Sequence, residues 1–178
     1  MHEYLHTLEQ RALMRDLNRA VHIELNEVHY ATMVAAGWHD RRAVLALSNA
    51  GHPPPPWYRA RRNAWTWLDT MDVPVHGRPV GVPLGLLADV EYGSVVIKPE
   101  PGDLVVLYTD GVSEATNESG EELGRDGLLD LARGLDPSSV ESFGHDLTLA
   151  VRRFRGAVSA SDDESILVLQ RRAPHFEV

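Results

Sequence analysis

Two acidic runs carry the chemistry this sequence could do. In Tyr108-Thr109-Asp110-Gly111-Val112-Ser113-Glu114, an aspartate and a glycine follow the apolar run 104–107. A strand ending this way delivers a carboxylate to a sheet edge, with glycine leaving the neighbouring backbone approachable. In Ser161-Asp162-Asp163-Glu164, carboxylates immediately precede the apolar stretch 165–170. Adjacent carboxylates before a buried strand are costly unless a cation or hydrogen-bond donors compensate them. Mg²⁺ and Mn²⁺ take oxygen ligands of this kind, often one or two carboxylates plus waters. The plainer alternative is two solvated turns, and for an isolated acidic turn it is the better one.

A haloacid-dehalogenase arrangement, Asp-x-Asp-Gly after a strand, would need an aspartyl nucleophile where Tyr108 stands, so it is excluded. A third feature is Ser48-Asn49-Ala50-Gly51-His52-Pro53. Here His52 could act as an acid, a substrate contact or a donor near a site. Taken alone, Asn49 and Gly51 shaping a turn with a surface histidine is the simpler account. The other eight of the 9 histidines are scattered, without metal-ligand spacing. Trp65 and Trp67 alternate with Thr66 as on one face of a strand, which points to packing. Arg61-Arg62 and Arg152-Arg153-Arg155 suit solvated faces better than anion sites. The count of 0 cysteines removes disulfides, zinc–thiolate centres and any cysteinyl-phosphate route.

The elements that must position these groups follow from periodicity and punctuation. Apolar residues at Tyr4, Leu5, Leu8, Ala12, Leu13, Leu17 and Val21 predict a helix over 4–21. Strands are predicted at 30–38 and 43–49 around the turn His39-Asp40-Arg41-Arg42. Pro53 to Pro56 interrupt regular structure, because proline cannot donate to a ladder. A second hairpin is expected at 57–60 and 64–68, turned at Arg61-Arg62-Asn63. Residues 69–88, rich in proline and glycine, form a long irregular connection. Strands at 91–98 and 104–108 are joined by Pro99-Glu100-Pro101-Gly102-Asp103. Helices follow at 125–133 and 138–154, the latter starting at Pro137 and Ser138, before a last strand at 165–170. Strands first and helices later predict an α+β fold with antiparallel sheets.

The length of 178 residues suits a single domain spanning 1–178 with a real core. A net charge of −9 argues against a broad phosphate-backbone binder, so no nucleic-acid partner is expected. No apolar run reaches membrane-span length and no signal peptide is visible, so a cytoplasmic protein without a membrane partner is expected.

In order along the chain, several segments resemble the metal-dependent protein phosphatase superfamily (PPM, type 2C-like) in its bacterial SpoIIE/RsbU branch. They are Asn18, Tyr30-Ala31-Thr32-Met33, Asn49-Ala50-Gly51-His52-Pro53-Pro54, Pro83-Leu84-Gly85, Pro101-Gly102-Asp103, Tyr108 to Ala115, Glu122-Leu123-Gly124 and Ser161-Asp162-Asp163. The resemblance implies an α-β-β-α sandwich of two antiparallel sheets flanked by helices. Asp110 and Asp162 match the family's metal-ligand aspartates. Asp163, Gly111, His52, Asn49 and Glu114 fall near that site, Asp163 where many relatives have asparagine. The implied reaction is attack on a phosphoserine or phosphothreonine by a hydroxide held between two Mn²⁺ or Mg²⁺ ions. The implied partner is a phosphorylated regulatory protein, typically an anti-sigma-factor antagonist.

The family's Gly-Asp-x-x-Asp-like strand and its Asp-Val-x-Gly-His-Gly segment, which supply the bridging carboxylate and a backbone carbonyl, do not occur here. The resemblance therefore covers the C-terminal part of the domain, and an N-terminally incomplete sandwich is expected. Weak metal binding and poor turnover by this chain alone are expected with it. So is a helix face (Leu5, Leu8, Ala12, Leu13) open to a homo-oligomer or an N-terminal segment. The alternative function is a non-catalytic pseudophosphatase or truncated remnant acting as a protein-binding module.

Overall fold

The computed structural model describes residues 3–24, 29–68 and 81–172, with side chains from Gln10 onward in the first helix. The chain forms two compact units, Met1–Pro54 with Leu68–Lys98 and Pro55–Trp67 with Pro99–Val178. Each is built on one antiparallel sheet, as the α+β expectation requires.

In the first unit, α1 (Glu3–Glu24) lies on a three-stranded sheet ordered β1 (Met33–His39), β2 (Val44–Ala50), β5 (Val95–Ile97). The periodicity expectation for the helix holds, but its inward face is turned by about one residue. Met14 and Asn18 are fully buried, whereas Leu13 is 51% exposed. Polar side chains share the inner face, so apolar residues alone mislocate it. Gln10 Nε2 donates to the Ala35 carbonyl at 2.8 Å, and Asn18 is enclosed by hydrogen bonds described below. Leu5 and Leu8 lie outside the residues whose side chains are described. Met14, Leu17 and Val21 pack with Ala50, Leu84, Val90 and Tyr92. Burial raises the Tyr92 phenol to about 12.

The second unit carries a four-stranded sheet ordered β4 (Ala64–Trp67), β3 (Pro56–Arg59), β6 (Leu104–Tyr108), β7 (Ile166–Gln170). Along β6, Leu104, Val106 and Tyr108 project to one face, following the two-residue strand period. There they meet Leu128 and Ala132 of α3 (Gly124–Arg133) and Phe143, Leu147 and Val151 of α4 (Val140–Arg155). Spacings of four residues put the α4 side chains on one stripe. Burying a side chain of Phe143 or Leu147 size contributes roughly 2–3 kcal/mol. Trp65 stacks on Phe143 with centroids 5.6 Å apart, and Trp67 also packs on this core.

Both hairpins end in the same device. Asp40–Arg42 and Ala60–Arg62 are 3-10 turns closed by left-handed residues, Ala43 at φ 52° and Asn63 at φ 44°. Asn63 also accepts a hydrogen bond from the Tyr58 hydroxyl at 2.9 Å.

Several boundaries differ from expectation. The strand at 91–98 shortens to β5, which pairs with β2. The turn after it is therefore not a hairpin, because β6 pairs with β3 and β7 in the other sheet. Asp103 holds this turn: its buried carboxylate accepts from Ala60 N at 2.8 Å, Glu100 N at 3.0 Å and Trp57 Nε1 at 3.1 Å. The cap of α4 is Ser139, whose hydroxyl accepts from Ser142 N at 3.3 Å. Arg155 is not on a solvated face, since it is ion-paired with Glu164. Most of the connection at 69–88 lies outside the described residues. Among the described residues, no helix is long and apolar enough to cross a membrane.

Candidate functional site

Tyr108 ends β6, and the chain turns at Thr109 into the single helical turn α2 (Asp110–Ser113), which sequence periodicity is too short to reveal. Asp110 is half-buried at its start. One carboxylate oxygen accepts from Gly111 N at 3.1 Å, and the Asp110 carbonyl accepts from Glu114 N at 2.8 Å and Ser113 Oγ at 3.1 Å.

The second acidic run enters β7 beside it. Asp162 Oδ1 accepts from Asp163 N at 2.7 Å. Thr109 Oγ1 donates to the Asp163 carbonyl at 2.8 Å and accepts from Ser165 N at 2.8 Å. Glu164 is held by Arg155 at the end of α4. The approach is close enough that a Cβ on Gly111 would lie 2.7 Å from the Asp163 carbonyl oxygen, a distance real Cβ atoms do not adopt. The structure thus brings Asp110, Gly111, Asp162 and Asp163 to one end of the β6–β7 pair. Glu114 closes the α2 turn with an exposed side chain.

Asn49 and His52 belong to the other unit. Asn49 is buried and closes a ring with His52, accepting from His52 N at 2.8 Å and donating to its carbonyl at 2.7 Å. His52 Nδ1 lies 3.2 Å from Thr32 Oγ1. Gly51, at φ +69°, has no room for a side chain, because a Cβ would lie 2.6 Å from Pro83.

The donors at the acidic end are all oxygens, the chemistry a hard divalent ion takes. Each of Asp110 and Asp162 accepts a backbone N–H from the following residue at Oδ1. The glycine that lets the two segments touch fits the same use. Among the described residues no group of three or more His, Cys, Asp or Glu is arranged to hold a metal. The set fits a divalent ion as a partial shell, to be completed by water or other donors.

Sequence reasoning gave Thr109 no role, and it read Tyr108 only as a mismatch and as part of a motif. Thr109 was visible only as the neighbour of an aspartate. Tyr108, which stands where the excluded dehalogenase pattern would need an aspartate, buries a hydroxyl with no hydrogen-bond partner among the described residues. Desolvation raises its phenol to about 12, partly offset by the Arg125 guanidinium.

The sequence pattern of the Stage II sporulation protein E (SpoIIE) family matches residues 2–172. The chain belongs to the SpoIIE family. Phosphoserine phosphatase RsbU of Bacillus subtilis is 27% identical over 163 residues, which is 90% of this chain and 44% of RsbU. The chain therefore spans less than half the length of that relative. Among solved structures, the SiaA-PP2C domain of Pseudomonas aeruginosa superposes with a TM-score of 0.73 at 18% identity. That likeness covers 93% of this chain and 65% of the other. The SpoIIE phosphatase domain of Bacillus subtilis, presoaked with Mn, gives a TM-score of 0.68 at 16% identity, covering 93% and 67%. The SpoIIE-family chain thus has the α+β fold of PP2C phosphatase domains.

Proposed function

We propose that this SpoIIE-family chain is a metal-dependent serine/threonine protein phosphatase domain. Its substrate is phosphoserine or phosphothreonine on a regulatory protein of the anti-sigma-factor-antagonist type. Asp110 and Asp162 are its metal ligands, with Mn²⁺ or Mg²⁺ as the ion. The observation that carries this is the meeting of Asp110 with the Asp162–Asp163 segment through Gly111. Support also comes from RsbU, a phosphoserine phosphatase by name, and from the Mn-presoaked SpoIIE domain.

A bound divalent ion lowers the pKa of water and neutralises charge on phosphoryl oxygens. The chain's own residues supply part of the shell such an ion would need. Asp110 and Asp162 present carboxylate oxygens oriented by the N–H groups of Gly111 and Asp163. Gly111 keeps the two segments in contact, and a metal-activated water would require no protein nucleophile, consistent with the count of 0 cysteines. Asp163 and Glu114 are assigned places near the site rather than as ligands.

The described residues hold no group of three metal-ligating side chains, and this favours a second reading, a phosphoprotein-binding module without turnover. Phosphate release from a phosphoserine peptide separates the two. EDTA-sensitive release that is lost in Asp110→Asn and Asp162→Asn supports the phosphatase. Peptide binding without release, unchanged in both variants, supports the binding module.

A further inference from the structure

We infer that Thr109 is a positioning residue whose hydroxyl sets the two acidic segments in register for a divalent cation. This rests on the metal reading of Asp110 and Asp162. The ladder between β6 and β7 ends at the pair Tyr108–Ile166. Beyond it the two chains part, one turning into α2 and the other running back through the acidic run. Backbone pairing continues only as the Thr109 N–H donating to the Ser165 carbonyl at 3.1 Å. The next two connections are made by the side chain alone. Its Oγ1 donates to the Asp163 carbonyl and accepts from Ser165 N, both at 2.8 Å.

A hydroxyl has one proton to give and lone pairs to receive, so it can make both bonds at once. An isosteric valine can make neither. The β-branched side chain also restricts χ1, which holds the oxygen between its two partners. The carbonyl that Thr109 holds is the one against which Gly111 packs. It belongs to Asp163, the residue whose N–H orients the Asp162 carboxylate, and it packs against Gly111, the residue whose N–H orients Asp110. Releasing it lets the 161–165 segment move relative to α2 without disturbing the β6–β7 ladder or the core beneath it. Groups that orient metal ligands typically change metal affinity 10- to 100-fold when removed.

The test is Mn²⁺ affinity, followed by titration calorimetry or by the electron paramagnetic resonance of free Mn²⁺. It compares the wild-type chain, Thr109→Val, Thr109→Ser, Asp110→Asn and Ser139→Ala at a temperature where all are folded by circular dichroism. Thr109→Val is expected to weaken binding about 10- to 100-fold and Thr109→Ser to restore it to within about threefold. Ser139→Ala removes the α4 cap, remote from both acidic runs, and is expected to lower stability with unchanged affinity. Wild-type affinity in Thr109→Val overturns the inference while the metal reading stands. So does a loss in Ser139→Ala as large as that in Thr109→Val, which would reduce the effect to stability. No Mn²⁺ binding by the wild-type chain, or binding unchanged by Asp110→Asn, overturns the metal reading and the positioning role together.

Discussion

Asn18 offers a sharp test of how the first unit is held. Its amide is fully buried and spends every hydrogen-bonding site. Nδ2 donates to the carbonyls of Leu87 at 2.9 Å and Ala88 at 3.3 Å, and Oδ1 accepts from Gly85 N at 2.9 Å and the Tyr92 hydroxyl at 3.0 Å. Asn18→Asp keeps the shape and both acceptor bonds but turns the donor side into an acceptor facing two carbonyls. Two lost bonds cost about 1–1.5 kcal/mol each, and the unpaired buried carboxylate adds to that. The expected total at pH 7 is about 3–5 kcal/mol, among the larger effects of single substitutions. The introduced carboxyl would have a pKa raised above the unfolded value. Between those two values the native state holds the extra proton, so stability falls as pH rises, and the deficit should shrink towards pH 4. Urea unfolding followed by fluorescence at pH 4 and pH 7 measures both. A variant within about 1 kcal/mol of wild type at pH 7, or a deficit that grows on acidification, would refute the reasoning.

Asp103→Ala should cost about 3–4 kcal/mol in urea unfolding, because it orphans Ala60 N, Glu100 N and the Trp57 indole together. Asp103→Asn should recover part of that loss. Tyr108→Phe should raise stability by about 1 kcal/mol, since the hydroxyl it removes is buried without a partner among the described residues. In the wild-type chain the Tyr108 phenol, raised to about 12, ionises first in the unfolded state. Its contribution, on the order of 2 kcal/mol, is therefore present below pH 10 and lost as pH rises towards 12, a loss that Tyr108→Phe should diminish. Ala43→Asn should raise the melting temperature slightly, worth about 0.5–1 kcal/mol, by giving the left-handed position of the first hairpin the residue type the second already has.

What could be read without coordinates was whatever local pattern decides. The two hairpins follow from strand periodicity and the arginine-bearing turns, and the helices from apolar spacing and caps. Two kinds of error share one cause. Asn18 and Gln10 lie on the buried face of α1, and a count of apolar residues cannot see a polar side chain whose partners are remote in sequence, a strand carbonyl for Gln10 and the 85–92 segment for Asn18. Likewise β5 and β6 look like a hairpin around Pro99–Asp103, because their real partners, β2 for one and β3 with β7 for the other, are remote in sequence. The acidic site was legible as two aspartate-bearing runs at strand ends. Its geometry was not, since the contacts of Thr109 span 54 and 56 residues. Nothing in Tyr108-Thr109-Asp110 marks that threonine as the link.

Those spans also set when the site can exist during folding. The hairpins β1–β2 and β3–β4 close over a few residues, and such units form in about 1–10 μs. The β6–β7 pairing must first close the stretch that contains α2, α3 and α4, at an entropic cost that local contacts do not bear. That cost predicts that Asp110 and Asp162 meet after the helices between them have folded back, with the acidic cluster a late product of assembly. If the Thr109 contacts are absent from the transition state, weakening them speeds unfolding and leaves the folding rate nearly unchanged. Early species would then hold their carboxylates apart and in water, and their mutual repulsion would enter only in the last step, where a divalent cation would act on the rate at which the completed fold is lost.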